Sequence, residues 1–247
     1  MKVSIITACY NSEKSILSAL KSVEEQNYPD IEHIIVDGAS TDDTLGIVQQ
    51  FESTNISLVS EPDEGIYDAL NKGIARSAGD VIGFLHSDDR FANSQSVSSL
   101  LAYIRKGQVG VYSDLKYIGA ETGRTVRHWR AKQFQPHFLS RGWMPPHPTL
   151  FLNSQVYKEL GGFDTSYTIA ADYEFVLKLF ARYGSSIGYL PKVEVLMATG
   201  GVSNRSFRNI LLKMKEDARA MSNHDISPFR GLLMKNLTKI PQFLGKI

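Results

Sequence analysis

Val3-Ser4-Ile5-Ile6-Thr7-Ala8, Ile31-Glu32-His33-Ile34-Ile35-Val36 and Val81-Ile82-Gly83-Phe84-Leu85 are short apolar runs, ended respectively by Tyr10-Asn11, Asp37 and His86-Ser87-Asp88-Asp89. Runs of five or six residues rich in Val and Ile read as buried strands. The stretches between them have helical period. Ser12 offers an N-cap to a helix carrying Ile16, Leu17, Leu20 and Val23 on one face. A helix from about Asp42 to Phe51, a strand Ile56 to Val59 and a helix Ile66 to Ala75 complete three strand-to-strand crossovers. This alternation predicts an α/β fold with a mostly parallel sheet flanked by helices.

Open parallel sheets bind ligands outside the carboxyl ends of their strands. The residues there are Tyr10-Asn11, Asp37, Glu61 to Glu64 and Asp88-Asp89. Three of these four positions carry carboxylates, and an acidic rim is costly unless a cation joins it. Beyond Arg90 the pattern loosens into a helix Ser94 to Lys106, a strand Val109 to Tyr112 and an irregular aromatic stretch from Trp129 to Trp143. It regains order at Thr149 to Leu152, a helix Ser154 to Leu160, a Gly161-Gly162-Phe163-Asp164 turn and an amphipathic helix Ala171 to Arg182.

The chain has 247 residues, 43% hydrophobic and 21% charged, a balance that excludes disordered, collagen-like and coiled-coil classes. Its formal charge of +1 gives no field to draw in nucleic acid. From Arg205 onward, however, nine Lys and Arg face three acidic residues. Residues 204–247 therefore read as a basic, amphipathic helical extension that contacts an anionic membrane surface, packs on the body or dimerises. The lone Cys9 cannot close an internal disulfide, and no leader-like segment precedes the first strand, which points to the cytoplasm. No apolar run reaches the roughly 18 residues needed to span a bilayer.

The dinucleotide fingerprint, the phosphate loop and the nucleophile elbow are all missing. Ser87-Asp88-Asp89 after an apolar strand suits a hard divalent cation that keeps positions open for phosphate, although acidic pairs also occur as ordinary strand-end turns. Thr7-Ala8-Cys9-Tyr10-Asn11, Val36-Asp37-Gly38-Ala39-Ser40-Thr41-Asp42, Gly65-Ile66-Tyr67-Asp68-Ala69-Leu70-Asn71-Lys72-Gly73, Gly79-Asp80 and Ser87-Asp88-Asp89 follow in order. In this order and at this spacing they resemble inverting glycosyltransferase family 2, of GT-A fold, in its bacterial O-antigen, capsule and exopolysaccharide variants. The resemblance covers residues 1–203, most strongly the first 90. It implies a nucleotide-sugar half at 1–90 and an acceptor half at 91–203.

The resemblance implies roles residue by residue. Thr7, Ala8 and Tyr10 at the first strand's end, with Asp37 after the second, would hold the nucleotide's base and ribose; Tyr10 otherwise packs over the sheet end. Gly38 stands where the family often has a second Asp. Asp88 and Asp89 match the D-x-D-type motif and would hold Mn²⁺ or Mg²⁺ on the donor diphosphate, with His86 beside the donor sugar or simply polar at the strand end. Asn71 and Lys72, with Arg76, lie on the helix before that strand and would reach the donor, a solvated face being the alternative for the two cations. Ala170-Ala171-Asp172 matches the segment that carries the catalytic base, assigned to Asp172, with Glu174 as a weaker candidate and Asp164 as a turn residue. His147 would face the acceptor or hold its loop. Trp143 and Trp129 would stack on sugar or fill core. Gly200-Gly201-Val202-Ser203 would form a lid.

The implied reaction is metal-dependent, inverting transfer of a hexose or N-acetylhexosamine from a UDP-sugar to a hydroxyl of a lipid-pyrophosphate-linked glycan, on the cytoplasmic face of the inner membrane. Sugar-1-phosphate nucleotidyltransferase is the competing enzyme class, weakened by the absence of its glycine- and arginine-rich N-terminal loop. A non-catalytic nucleotide-sugar-binding subunit is the non-enzymatic alternative.

Overall fold

Each of the three runs is a strand in the computed structural model, which describes residues 1–51, 53–119, 122–199 and 207–237. The elements in order are β1 (Val3–Cys9), α1 (Ile16–Glu24), β2 (Ile31–Asp37), α2 (Thr44–Gln50), β3 (Ile56–Ser60), α3 (Ile66–Arg76) and β4 (Val81–Phe84). Then follow β5 (Arg90–Phe91), α4 (Ser96–Ile104), β6 (Gly110–Ile118), β7 (Thr125–Trp129), 3-10 turns Pro136–Arg141 and His147–Thr149, β8 (Phe151–Asn153) and α5 (Ser154–Leu160). The last elements are α6 (Ala171–Tyr183), β9 (Ile187–Ala198), α7 (Phe207–Asn223) and α8 (Pro228–Leu237). Among the described residues no helix is long and apolar enough to cross a membrane.

One sheet of nine strands runs β3-β2-β1-β4-β8-β6-β9-β5, with β7 beside the far end of β6. The first four strands are parallel, as expected. β8 then runs antiparallel between β4 and β6, so the first four strands meet the second half at a reversal of direction. Alternate side chains divide the core. Ile6, Ile34, Ile82 and Phe84 face the helices α3 and α6, while Ile5, Val81, Leu85 and Phe151 pack under α1 and α4.

Several expectations need correction. Ser12 does not cap α1, which starts at Ile16; its carbonyl accepts the Ser15 and Ile16 N–H groups while its hydroxyl turns toward Ser87. The twelve-residue β9 was not foreseen, because Pro191, Lys192 and Glu194 interrupt its apolar pattern. Of the three arrangements left open for the C-terminal helices, packing on the body is seen. Ala220 and Met221 of α7 are fully buried in the core cluster that holds α6, and Lys235 of α8 is 5% exposed. The expected lid, Gly200 to Ser203, and the residues from 238 onward lie outside the described residues.

Candidate active site

The loops after the strands are laced together along one rim. Asn11 donates its N–H to Ser40 Oγ (2.8 Å) and accepts from the Thr41 N–H (2.9 Å). The Ser12 N–H donates to Thr44 Oγ1 (2.7 Å), and the Ser12 and Ser87 hydroxyls share a hydrogen bond at 2.9 Å. Tyr10 stands on this rim 62% exposed, its ring free to stack. Asp37 is fully buried: its oxygens accept from the Ser40 N–H (3.0 Å) and hydroxyl and from the Ser60 hydroxyl (2.7 Å). It organises the rim from below. The carboxylate of Asp63 fills the space over Gly38 that a Cβ would need, so a second acidic group lies beside Asp37 after all, brought from the loop after β3.

Four assigned residues are engaged elsewhere. Thr7 is buried, its hydroxyl donating to the Leu85 carbonyl (2.7 Å) and meeting His33 Nε2 (2.9 Å), so it ties strands together beneath the surface. Asn71 donates to the Phe163 carbonyl and accepts from the Phe163 N–H, both at 2.8 Å. Lys72 reaches the Pro62 carbonyl (2.8 Å), Asp68 (3.1 Å) and Glu61 (3.3 Å), which holds the loop into α3. Trp143, half-buried, donates to the Ala131 carbonyl and packs among Tyr112, Phe134, Phe138 and Phe180 at the edge of the core. Ala8 lies buried at the end of β1.

The acidic pair divides by exposure. Asp88 is open to solvent, whereas Asp89 is 1% exposed, one oxygen accepting the Ala198 N–H (3.2 Å) and the other without a partner. Burial, then the neighbouring Asp88, raises the Asp89 pKa well above the usual carboxylate range. An orphaned buried carboxylate oxygen beside an exposed carboxylate fits a hard cation that takes its remaining ligands from phosphate and water. Among the described residues no cluster of three or more His, Cys, Asp or Glu forms a complete metal cage.

Asp172 sits in the first turn of α6, half-buried, with its Oδ1 accepting from the Tyr173 N–H (2.8 Å) and the Tyr67 hydroxyl (3.2 Å). Burial pushes its pKa up, but Lys213, His147, Lys235 and the Tyr173 N–H outweigh it and leave the carboxyl below its ordinary value. His147 is itself pushed down to about 4 by burial, so at neutral pH the lasting counter-charges are the two lysines. His147 stacks on Phe84, with centroids 5.3 Å apart, and lies 6.5 Å from the His86 ring; one nitrogen of each histidine is buried without a partner.

The charges of Asp88-Asp89 and Asp172 reach the same side chains. His86 feels the charges of Asp88 and Asp172, and Tyr117 of β6 feels Asp89 and Asp172. Arg127 of β7 lies over the Tyr117 ring at 5.0 Å. Tyr67, Tyr117, Arg127 and Lys213 were assigned no role in the site from the sequence; Tyr67 stands inside the Gly65 to Gly73 motif, and Asp63 falls within the Glu61 to Glu64 strand end already placed on the rim. Glu174 pairs with Lys178 (3.2 Å) and His224 (3.4 Å), on a different face of α6 from Asp172.

The Glycosyl transferase family 2 profile matches residues 4–169. An uncharacterized glycosyltransferase of Mycobacterium tuberculosis is 38% identical over 182 residues, 71% of this chain and 68% of that one. The Staphylococcus aureus TarS fragment 1–349 in complex with UDP-GlcNAc superposes with a TM-score of 0.73 at 21% identity, over 99% of this chain and 72% of that one. The mannosyltransferase PcManGT of Pyrobaculum calidifontis, in complex with GDP-Man and Mn²⁺, gives 0.64 at 18% identity, over 100% of this chain and 76% of that one. The fold is that of these glycosyltransferases. By sequence and by architecture, the chain belongs to glycosyl transferase family 2 and is a glycosyltransferase.

Proposed function

We propose that the chain is a metal-dependent inverting glycosyltransferase that moves a hexose or N-acetylhexosamine from a UDP-sugar to a hydroxyl of a lipid-pyrophosphate-linked glycan during bacterial surface polysaccharide synthesis. The observation that carries this reading is that an ionised carboxylate, Asp172, and the strand-end pair Asp88-Asp89 act by their charges on the same side chains, His86 and Tyr117. TarS with UDP-GlcNAc and PcManGT with GDP-Man and Mn²⁺ support a nucleotide-sugar donor and a divalent ion.

In this reading Tyr10 stacks on the base, and the carboxylates of Asp37 and Asp63 shape the nucleoside side of the rim. Asp88 and Asp89 would hold Mn²⁺ or Mg²⁺, which supplies Lewis-acid neutralisation of the departing diphosphate. Asp172 takes the proton of the acceptor hydroxyl as that oxygen forms a bond to the anomeric carbon. The bond from that carbon to the diphosphate oxygen breaks on the opposite face, its electron pair leaving with UDP, so an α-linked donor gives a β product. The Tyr67 hydroxyl and the Tyr173 N–H orient the base, and neutral His147 and His86 line the space beside it.

A membrane-bound acceptor is supported by the outer faces of the C-terminal helices. Ile210, Leu211 and Met214 of α7 and Phe229, Leu233 and Leu237 of α8 are exposed, among Arg208, Lys215 and Arg230. Apolar residues set among cations suit the headgroup region of an anionic cytoplasmic leaflet.

Asp172→Asn tests the base. The variant should bind UDP with Mn²⁺ as the wild type does, by thermal shift, and lose transfer by about a thousandfold or more, as expected when a catalytic base is removed. Retained turnover would take Asp172 out of that role.

A further inference from the structure

Asp172 projects from a segment whose backbone is held from outside. Glu216 of α7 is 7% exposed, and its carboxylate accepts three successive main-chain N–H groups, those of Thr168 (2.9 Å), Ile169 (2.8 Å) and Ala170 (2.9 Å). The other side of the same segment is gripped by Tyr67, whose hydroxyl donates to the Ile169 carbonyl (2.7 Å) and reaches Asp172 Oδ1 (3.2 Å). Just upstream, Arg219 donates to Ser166 Oγ (2.7 Å) and lies over the Tyr167 ring at 4.2 Å, while Asn223 donates to the Tyr167 hydroxyl. Residues 166–170 are thus clamped between α7 and α3.

A surface carboxylate would serve to dock α7 at little cost. A buried one loses several kcal/mol of hydration and persists only where N–H groups or cations replace the water. Here the replacement comes entirely from the two residues before the helix and its N-cap. Ala170 is that N-cap, and Glu216 takes its N–H together with the two before it, as the carboxylate of a capping box reaches back to the N-cap N–H. It also sets a negative charge at the helix's positive end. Lys213, one turn earlier on α7, is the foremost charge holding Asp172 ionised.

We propose that Glu216 is a positioning residue for the base: its buried carboxylate fixes the main chain of residues 168–170, and through it the aim of Asp172 at the acceptor hydroxyl. This rests on the assignment of Asp172 as base. Groups that orient catalytic side chains, when removed, cost on the order of ten- to a hundredfold in activity, and a misplacement of about 1 Å costs as much.

The test uses the full chain carrying Glu216→Gln, Glu216→Asp and Asp172→Asn. Measured are UDP affinity with Mn²⁺ by calorimetry, UDP release from UDP-glucose and UDP-N-acetylglucosamine, and amide hydrogen exchange. Glu216→Gln should keep UDP affinity and donor KM, lower kcat by about ten- to a hundredfold, and lose protection at 168–173 while β1 to β4 stay protected. Glu216→Asp should restore part of the rate. Should Glu216→Gln fail to fold, Arg219→Ala, which loosens the same segment at Ser166 and Tyr167, should show the same split between kcat and KM. A full kcat, or unchanged protection at 168–173, would overturn the proposal provided Asp172→Asn is inactive. An active Asp172→Asn would overturn the base assignment instead.

Discussion

Asn71 shows what a motif can carry and what it hides. The Gly65 to Gly73 stretch identifies it, but only the fold reveals that its amide bonds both polar groups of Phe163, and that a Cβ on Gly162 would overlap its Oδ1. Asn71→Ala leaves two main-chain groups wanting partners at about 1–3 kcal/mol each. For a chain of this size each kcal/mol is about 2–4 °C in Tm, so a thermal melt should fall by several degrees while UDP affinity stays. Thr7, Lys72 and Trp143 teach the same lesson. Their identities fit a donor or acceptor site, yet each has a partner within the protein: Leu85 and His33 for Thr7, Pro62, Asp68 and Glu61 for Lys72, and Ala131 for Trp143. The positions of Tyr10 and Asp88 on one rim, by contrast, were legible because parallel strands end on a common edge, whereas Asp172 was reached only through the resemblance of its segment to the family's. The depressed pKa of Asp172 has a kinetic consequence. Its charge is present above that value and lost as pH falls through it, so in the proposed base role, and with Mn²⁺ saturating, its own contribution to the acid limb of kcat/KM should lie below the ordinary carboxylate range.

Among the elements, β1, β2 and β4 were readable because buried parallel strands are nearly uniformly apolar, and the half-exposed edge strand β3 from its place between two helical stretches. β9 was not. It pairs with β6 in parallel and with β5 antiparallel, and its Lys192 and Pro191 sit where it is exposed. The C-terminal helices were foreseen as helices but not for their inner faces. In α8, Phe229, Leu233 and Leu237 recur every four residues and are 83%, 51% and 48% exposed. On the inner side, Lys235 lies 2.9 Å from Asp217 and 3.3 Å over the Tyr173 ring. Deleting α8 would therefore disturb α6 as well as any membrane contact. The cleaner variant replaces Phe229, Leu233 and Leu237 with Ser. Tm should hold, while binding to phosphatidylglycerol vesicles weakens by tenfold or more, since burying one such side chain is worth about 1.5–3 kcal/mol. Unchanged vesicle binding would leave that face without a membrane role.

At the scale of the whole molecule, buried histidines set the response to acid. Burial lowers His33 to about 3 and His147 to about 4, from an ordinary 6.5. Below pH 6.5 the unfolded chain takes up protons at both sites and the native chain does not. Stability is therefore full above that pH and declines as pH falls toward 4, each tenfold difference in proton affinity between the unfolded and native chains being worth about 1.4 kcal/mol. Asp89 acts in the opposite sense, its raised pKa favouring the native state as pH falls. Urea unfolding between pH 7.5 and 4.5 should show net loss, and His33→Gln should flatten the slope by one proton.

Cys9, buried at the end of β1 against Asp37, has its thiol pushed up to about 12 by burial and then by that carboxylate. Almost no thiolate exists at neutral pH, so the native chain should resist maleimide and disulfide reagents. Labelling would then proceed only when β1 parts from β2, and its rate becomes a clock for opening of the parallel half of the sheet. A cysteine introduced on the outer face of α8 would be the single reactive handle, ready for a dye or a surface tether without any prior removal of a native thiol.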